Sequence, residues 1–257
     1  MLGIRAIPVL LLGEAGLVKT TRFRSPVYVG DPINAVRIFN EKEVDEIVLL
    51  DICATIEGRS PQFDKVRQIA GECFMPLCYG GGVGSLEDIE KLVGSGVEKV
   101  SINRRAVRDP AFVRAAADRF ASSTIVVSID VRQGWWGRKS VWTRGGREDS
   151  RRDPIAFAKQ MEELGAGELL LTSVDRDGTM RGYDLDLIRA VADSVTIPVV
   201  ACGGAGSVQD LHRAIGAHAS ASAAGSLFVF HGRHRAVLIS YPAPDELAPQ
   251  LASSPEL

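Results

Sequence analysis

Two glycine runs and one aspartate hold much of the chemistry that can be read from this chain. Gly80-Gly81-Gly82 and Gly203-Gly204 each close a short apolar run and precede a segment with helical spacing. The first N–H groups of a helix lack partners and attract anions, and glycine lets the backbone come close to phosphate oxygens. Asn103 and Gly225-Ser226 follow the next apolar run in each case. Two such sets imply a substrate with a phosphate at each end, with tight turns alone as the plainer reading. Asp130 also ends an apolar run, and a positioned carboxylate can serve as general acid or base. Cys53, Cys73, Cys78 and Cys202 form no CxxC pair and have no histidine at zinc spacing, so neither a metal nor a cofactor is expected.

These residues recur at a fixed interval. Leu11 and Asp130 are 119 residues apart, Asp51 and Thr172 are 121 apart, and Gly82–Gly204 and Asn103–Gly225 are each 122 apart. Such an offset implies two homologous half-domains, residues 1 to about 122 and 123 to 241, each with four strands whose active ends share one face. Leu11 stands where the second copy has Asp130.

Runs rich in Val, Ile and Leu predict the strands that would hold these groups: 5–12, 46–51, 75–79, 99–102, 124–130, 168–172, 197–202 and 220–224. Helical spacing fills the intervals. Asp31-Pro32, Asp109-Pro110 and Asp153-Pro154 read as helix caps followed by proline at the first turn, and Ser85/Asp88 and Ser207/Asp210 as capping boxes. The fold expected is α/β, one (β/α)₈ TIM barrel of the phosphate-binding type over residues 1–241, since a duplicated four-strand unit closes naturally into eight. Residues 13–30 and 131–153 are longer connections on the catalytic face, the second a small hairpin carrying Trp135, Trp136 and Trp142. Those aromatics could stack on substrate, although covering the barrel mouth is the plainer role. From Pro242 the chain is rich in Pro, Ala and Ser, which predicts a disordered tail over 242–257.

Composition narrows the partners. A net charge of −2 offers no footprint for nucleic acid. No apolar stretch approaches the roughly 20 residues of a membrane span, and the first residues lack the tripartite form of a secretory signal, so a cytoplasmic protein is expected.

The stretches RAIPVL, LVKT, GDPINA, DEIVLLDI, YGGGVG, EKVSIN, VVSIDV, GAGELLLTSVDRDGT, GYD, CGGAG and AAGS resemble the cyclase subunit of imidazole glycerol phosphate synthase, over nearly all of residues 1–241. The resemblance implies a barrel paired as a heterodimer with a glutaminase subunit, whose ammonia crosses the barrel to a phosphorylated small molecule. The family's two catalytic aspartates fall on Leu11 and Asp130, so one is lost, and Glu14 or Asp51 are candidates to replace it. Substrate and phosphate contacts fall on Lys19, in a loop near the active face, and on Gly82, Asn103, Thr172, Asp177, Gly178, Gly204, Gly225 and Ser226. Arg104 replaces a small polar residue beside the first phosphate site. Strand parity points Arg5, Lys99 and Glu168 into the barrel at its N-terminal end, and with Glu46 they match the family's ammonia gate. Glu98 falls at the partner interface.

PVLLLGEAGLVKT, ECFMPLCYGGG and SLFVFHGRHRAVLISYP resemble a paralogous branch that works with a glutaminase-like partner and a sugar amidotransferase in acetamidino modification of surface polysaccharide. His231 and His234 lie in the last of these, with catalytic or surface roles both open. Three readings stand: a synthase-like subunit of such an amidotransferase complex, a histidine-pathway cyclase subunit, and a non-catalytic ammonia-channelling scaffold.

Overall fold

The computed structural model describes residues 3–134, 137–232 and 234–248. In chain order the strands are β1 Ala6–Leu12, β2 Leu17–Thr21, β3 Arg24–Gly30, β4 Ile47–Asp51, β5 Leu77–Gly80, β6 Lys99–Ile102, β7 Ile125–Gln133, β8 Lys139–Thr143, β9 Glu148–Asp149, β10 Glu168–Ser173, β11 Val199–Cys202, β12 Ala221–Ala224, β13 Phe230–His231 and β14 Ala236–Val237. The helices are α1 Pro32–Glu41, α2 Ala54–Glu57, α3 Phe63–Ala70, α4 Leu86–Val93, α5 Arg104–Arg108, α6 Ala111–Phe120, α7 Pro154–Glu163, α8 Leu185–Ala192, α9 Val208–Gly216 and α10 Ser226–Val229.

Eight strands pair in parallel in the order β1-β4-β5-β6-β7-β10-β11-β12, and β12 pairs back onto β1, closing the sheet. This is the (β/α)₈ barrel expected from the sequence. Every residue of β1 is buried because the strand has an apolar environment on both faces. Ile7, Val9 and Leu11 point into the lumen with Val48, Val126, Leu170 and Val200. Ala6, Leu10 and Leu12 point outward into the layer between strands and helices. A helix fits that layer when its apolar residues form one stripe, as Pro32, Ala35, Val36 and Phe39 do on α1. Of these, Val36 and Phe39 contribute about 1.5–3 kcal/mol each on removal from water.

Asp31 and Asp153 cap α1 and α7 as expected. Asp109 does not cap α6, whose N-cap is Pro110. It ends α5 instead, with its carboxylate on Arg105 at 2.7 Å. A nearby guanidinium outcompetes the backbone N–H groups for that carboxylate.

The connection over 13–30 is not a loop. It forms the β2–β3 hairpin, which pairs antiparallel with the end of β1 and carries Lys19 on a strand. The second long connection is a hairpin as expected, β7 running on to Gln133 and pairing with β8. Trp142 sits opposite Asp130 there, under Arg132, and does not line the mouth. Trp135 and Trp136 lie outside the described residues. The tail expected from Pro242 is pinned to the barrel at Leu247, although residues 243–246 and 248 are exposed. Leu247 is 6% exposed, its carbonyl accepts Ile4 N–H at 2.8 Å, and the Glu246 carbonyl meets His212. An apolar residue with a place to bury holds the backbone despite the composition around it. Residues 249–257 lie outside the described residues.

Candidate functional site

The C-terminal ends of the strands surround a cavity of about 280 Å³. Leu11, Lys19, Asp51, Gly82, Asn103, Arg104, Asp130, Thr172, Asp177 and Gly225 all line it. The structure thus brings most of the expected site residues to one mouth, although they are spread over more than 200 positions of the chain. Gly178, Gly204 and Ser226 do not line it, nor do Glu14, His231 and His234, which are exposed.

Asp130 is the acid at the floor, projecting inward from β7 beside Thr172 on β10. Burial pushes its carboxyl up to about 7, against a 3.1 Å hydrogen bond from Ser128 Oγ, while the charge of Asp177 adds to the rise. A carboxyl poised there exchanges protons in either direction near neutrality. The unfolded chain loses this proton near pH 3.8, whereas the folded chain keeps it to about 7. The unfavourable ionisation therefore weakens the fold progressively between those values and fully above them. Asp130→Asn removes it. The variant's melting temperature relative to the parent is expected to rise from about pH 4 to about pH 8, and a difference that is flat with pH would show that Asp130 is an ordinary aspartate.

Leu11 faces the same cavity at 7% exposure, in register with Leu50 on β4 and Val18 on β2. The wall opposite Asp130 is therefore aliphatic. Neither acid suggested as its replacement is available. Glu14 is exposed in the hairpin turn. Asp51 receives Arg59 in a fork at 2.9 and 3.2 Å and the Cys53 and Ala54 N–H groups at 3.0 and 2.9 Å. The second acid at the mouth is Asp177, read from the sequence only as a phosphate contact. Burial raises its pKa against the opposing charge of Lys19, and it accepts Thr20 Oγ1 at 3.3 Å.

Lys19 is 4% exposed, and its ammonium donates to the Val9 carbonyl at 3.1 Å. Burial lowers its pKa, opposed by Asp177. Its Nζ lies directly over Gly225, where any added Cβ would collide with it. A buried ammonium thus faces the expected second phosphate site, and Ser226 Oγ behind it finds no partner among the described residues.

The glycine loops differ from expectation in one respect. The N-termini of α4 and α9 are not open to anions, because Asp88 and Asp210 complete capping boxes with Ser85 and Ser207 and also accept the Gly84 and Gly206 N–H groups at 2.9 and 3.0 Å. A carboxylate already holds each helix end, and a second anion there would be repelled. The short helices α5 and α10, which start after Asn103 and Gly225, carry no side-chain cap. Glycine is required in the loops for another reason. Gly81 and Gly204 have φ of 113° and 120°, and a Cβ on either would strike the backbone of Asp51 or Gly182. Gly82 N–H donates to Thr55 Oγ1 at 3.3 Å, which adds Thr55 to the site. The Asn103 side chain ties β6 to its neighbours, donating to the Ser128 and Trp142 carbonyls at 3.0 and 3.3 Å.

At the opposite end of the lumen Lys99 Nζ bridges Glu46 at 2.8 Å and Glu168 at 3.0 Å, and Arg5 pairs with Glu168 at 3.3 Å. Burial raises the Glu46 pKa against the hydrogen bond from Lys99. Parity along the strands produces this ring, since positions 5, 46, 99 and 168 share the inward face with Leu11, Leu50, Asn103 and Thr172. Glu98, beside it, faces outward and is exposed.

A closed parallel barrel with an inward-facing acid and glycine-lined strand ends at its C-terminal mouth belongs to the (β/α)₈ enzymes. Residues 5–235 match the family described as histidine biosynthesis protein, and the chain belongs to that family. It is 54% identical over 244 residues to a provisionally named imidazole glycerol phosphate synthase subunit, hisF2, of Pseudomonas aeruginosa, covering 95% of this chain and 97% of the relative. The corresponding hisF3 of Vibrio vulnificus is 46% identical over 248 residues, with 96% and 95% covered. The imidazole glycerol phosphate synthase subunit HisF of Endomicrobium trichonymphae is 44% identical over 228 residues, with 89% and 88% covered. The chain is HisF-like along nearly its whole length. Among the described residues no helix is long and apolar enough to cross a membrane, and no group of three or more His, Cys, Asp or Glu could hold a metal ion.

Proposed function

We propose that this protein is the synthase-like subunit of a cytoplasmic glutamine-dependent amidotransferase complex. A glutaminase-like partner docks on the N-terminal face as the second half of a heterodimer, ammonia enters past Arg5, Glu46, Lys99 and Glu168, and the mouth holds a phosphorylated acceptor. The acceptor is a sugar destined for surface polysaccharide, modified to an acetamidino group with a sugar amidotransferase. The observation that carries this reading is the contrast between the two ends of one lumen. The ring of paired charges is complete, whereas the wall facing Asp130 is aliphatic at Leu11. Four inward charges are costly to bury and add little to stability that apolar residues would not, so a role in passing a polar molecule accounts for their presence. Lys19, Thr172, Asp177 and the uncapped backbone at Asn103–Arg104 and Gly225–Ser226, with Gly82, Gly178 and Gly204 shaping the loops, form the acceptor site, and Asp130 moves its proton.

A second reading, the histidine-pathway cyclase, is favoured by Asp177, which supplies another acid to the cavity that Asp130 lines. A scaffold that only channels ammonia would need no acid of raised pKa at its exit.

The docking face carries its own marker. Phe74, in the loop before β5, is 85% exposed, yet that loop is held firmly: Phe74 N–H donates to Asn40 Oδ1 at 3.2 Å, Asn40 donates to the Glu72 carbonyl at 2.6 Å, and Arg37 grips Glu72 in a fork at 3.0 Å. A fixed, solvent-exposed aromatic at the same end of the barrel as the gate is the form an interface anchor takes. Reconstitution with a glutaminase-like partner tests the proposal. A stoichiometric complex with stimulated glutamine hydrolysis is expected, and Phe74→Ala should weaken assembly about 30-fold, the equivalent of an aromatic hot spot of about 2 kcal/mol. Absence of any complex with the unaltered chain would refute the amidotransferase reading, whereas equal affinity of Phe74→Ala would remove only the anchor.

A further inference from the structure

Beyond Gly82 the mouth opens sideways into a second cavity of about 310 Å³, which shares Thr55, Gly82 and Arg104 with the first. Its wall is strongly cationic, lined by Arg59, Arg104, Arg105 and Arg108. The carboxylate that also lines it, Asp88, is committed to the capping box of α4. Arg59 is neutralised by Asp51 and Glu57, and Arg105 by Asp109. Arg104 and Arg108 are not matched in this way. They share Glu148, at 3.5 and 3.3 Å, and that carboxylate is 44% exposed. The two arginines are one turn apart on α5, a spacing at which like charges repel. Arg104 Nε is buried and makes no hydrogen bond among the described residues. Asp88 keeps its charge in this wall, but Arg104 and Arg108 share a single half-exposed carboxylate, which leaves guanidinium N–H groups for a ligand.

We propose that this cavity takes a second anionic group joined to the phosphate expected beside Asn103, so that the acceptor carries a diphosphate at this end. The inference rests on the proposed reading of the mouth at Asn103–Arg104 as an anion site and names the class of acceptor it receives. Guanidinium forks match pairs of phosphate oxygens, and the geometry is more selective than point charges would be. The outer phosphate lies between Arg104 and Arg108 and takes the place of Glu148 as their shared counterion.

Calorimetric titration of the full chain with inorganic phosphate and with pyrophosphate, at one ionic strength, tests this. Pyrophosphate is expected to bind at least ~10-fold more tightly than phosphate, as one added charge-assisted contact would provide. The double variant Arg104→Ala/Arg108→Ala should lose that margin, weakening pyrophosphate more than phosphate, while Glu148→Gln, which removes the competing carboxylate, should widen it. Equal affinity for the two anions, or a margin that survives the double variant, overturns the inference. Binding of pyrophosphate alone supports it while refuting a phosphomonoester site, and binding of neither anion refutes both. Should the double variant fail to fold, a Glu148→Gln protein whose margin is unchanged overturns it as well.

Discussion

Supplied with ammonia and the bis-phosphorylated substrate of the cyclase reaction, the purified protein is expected to turn over at least about 10²- to 10⁴-fold more slowly than its Leu11→Asp variant, the usual contribution of a positioned general acid or base. Two proton transfers of opposite sense need two titratable groups, and a leucine cannot exchange protons. The structure strengthens the expectation by eliminating substitutes. Asp51 is neutralised by Arg59 and two backbone donors, and Glu14 is exposed in the hairpin turn. Asp177 remains, but it is held by Thr20 and compensated by Lys19. In the Leu11→Asp variant the new carboxyl arises at a 7% exposed position among Val18, Leu50 and Val9, so it should cost about 1–3 kcal/mol of stability and titrate above the normal aspartate range. Leu11→Asn, with similar size and polarity and no proton to exchange, separates these effects. Steady-state assays of the three proteins provide the measurement. Turnover by the unaltered chain at roughly 1–10³ s⁻¹, ordinary for enzymes, would restore the histidine-pathway reading.

Loss of the Lys99 ammonium should be felt both by the fold and by the complex. Lys99 is the shared counterion of Glu46 and Glu168, which are 3% and 7% exposed. Removing one partner of a buried pair costs about 3–5 kcal/mol. Arg5 still reaches Glu168 and Lys99 keeps some solvent contact, which should bring the figure for Lys99→Ala to about 2–3 kcal/mol at neutral pH. Glu46 already has a raised pKa. Without Lys99 it rises further, so the penalty should be largest where the carboxylates are ionised and should shrink as pH falls and Glu46 protonates. In the reconstituted complex, glutamine hydrolysis should continue while ammonia escapes to solvent, and anion binding at the distant mouth should be unaffected. Denaturant titration at two pH values and a free-ammonia assay measure the two effects. If neither changes, the ring of charges is not the gate.

The barrel could be read from the sequence because its determinants are local and periodic. Continuous apolar runs with capped helical stretches between them describe strands buried on both faces, and parity along those strands sends positions 5, 46, 99 and 168 inward at one end and 11, 103, 130 and 172 inward at the other. The offset of about 120 residues located the mouth residues without any knowledge of how the chain folds. What could not be read was the competition between groups brought together from distant parts of the chain. Ser85/Asp88 and Ser207/Asp210 were legible both as capping boxes and as open helix ends for anions, and only the packed structure shows the carboxylates already holding those ends. Arg104 and Arg108 stood in plain view in the run INRRAVRDP, but their meaning depends on Glu148 and on the wall around Gly82, about 20 to 45 positions away. Lys19 lies at the expected mouth but on an unexpected element, because β2 exists only where the end of β1 offers a free edge, and that pairing sets the ammonium over Gly225. Hydrophobic periodicity is a property of neighbours in sequence, so the chain by itself determined the eight barrel strands, the helices between them and the direction the strand side chains face. Which donor meets which carboxylate, and therefore which groups remain for chemistry, is a matter of distances across the barrel, and only the tertiary structure decided it.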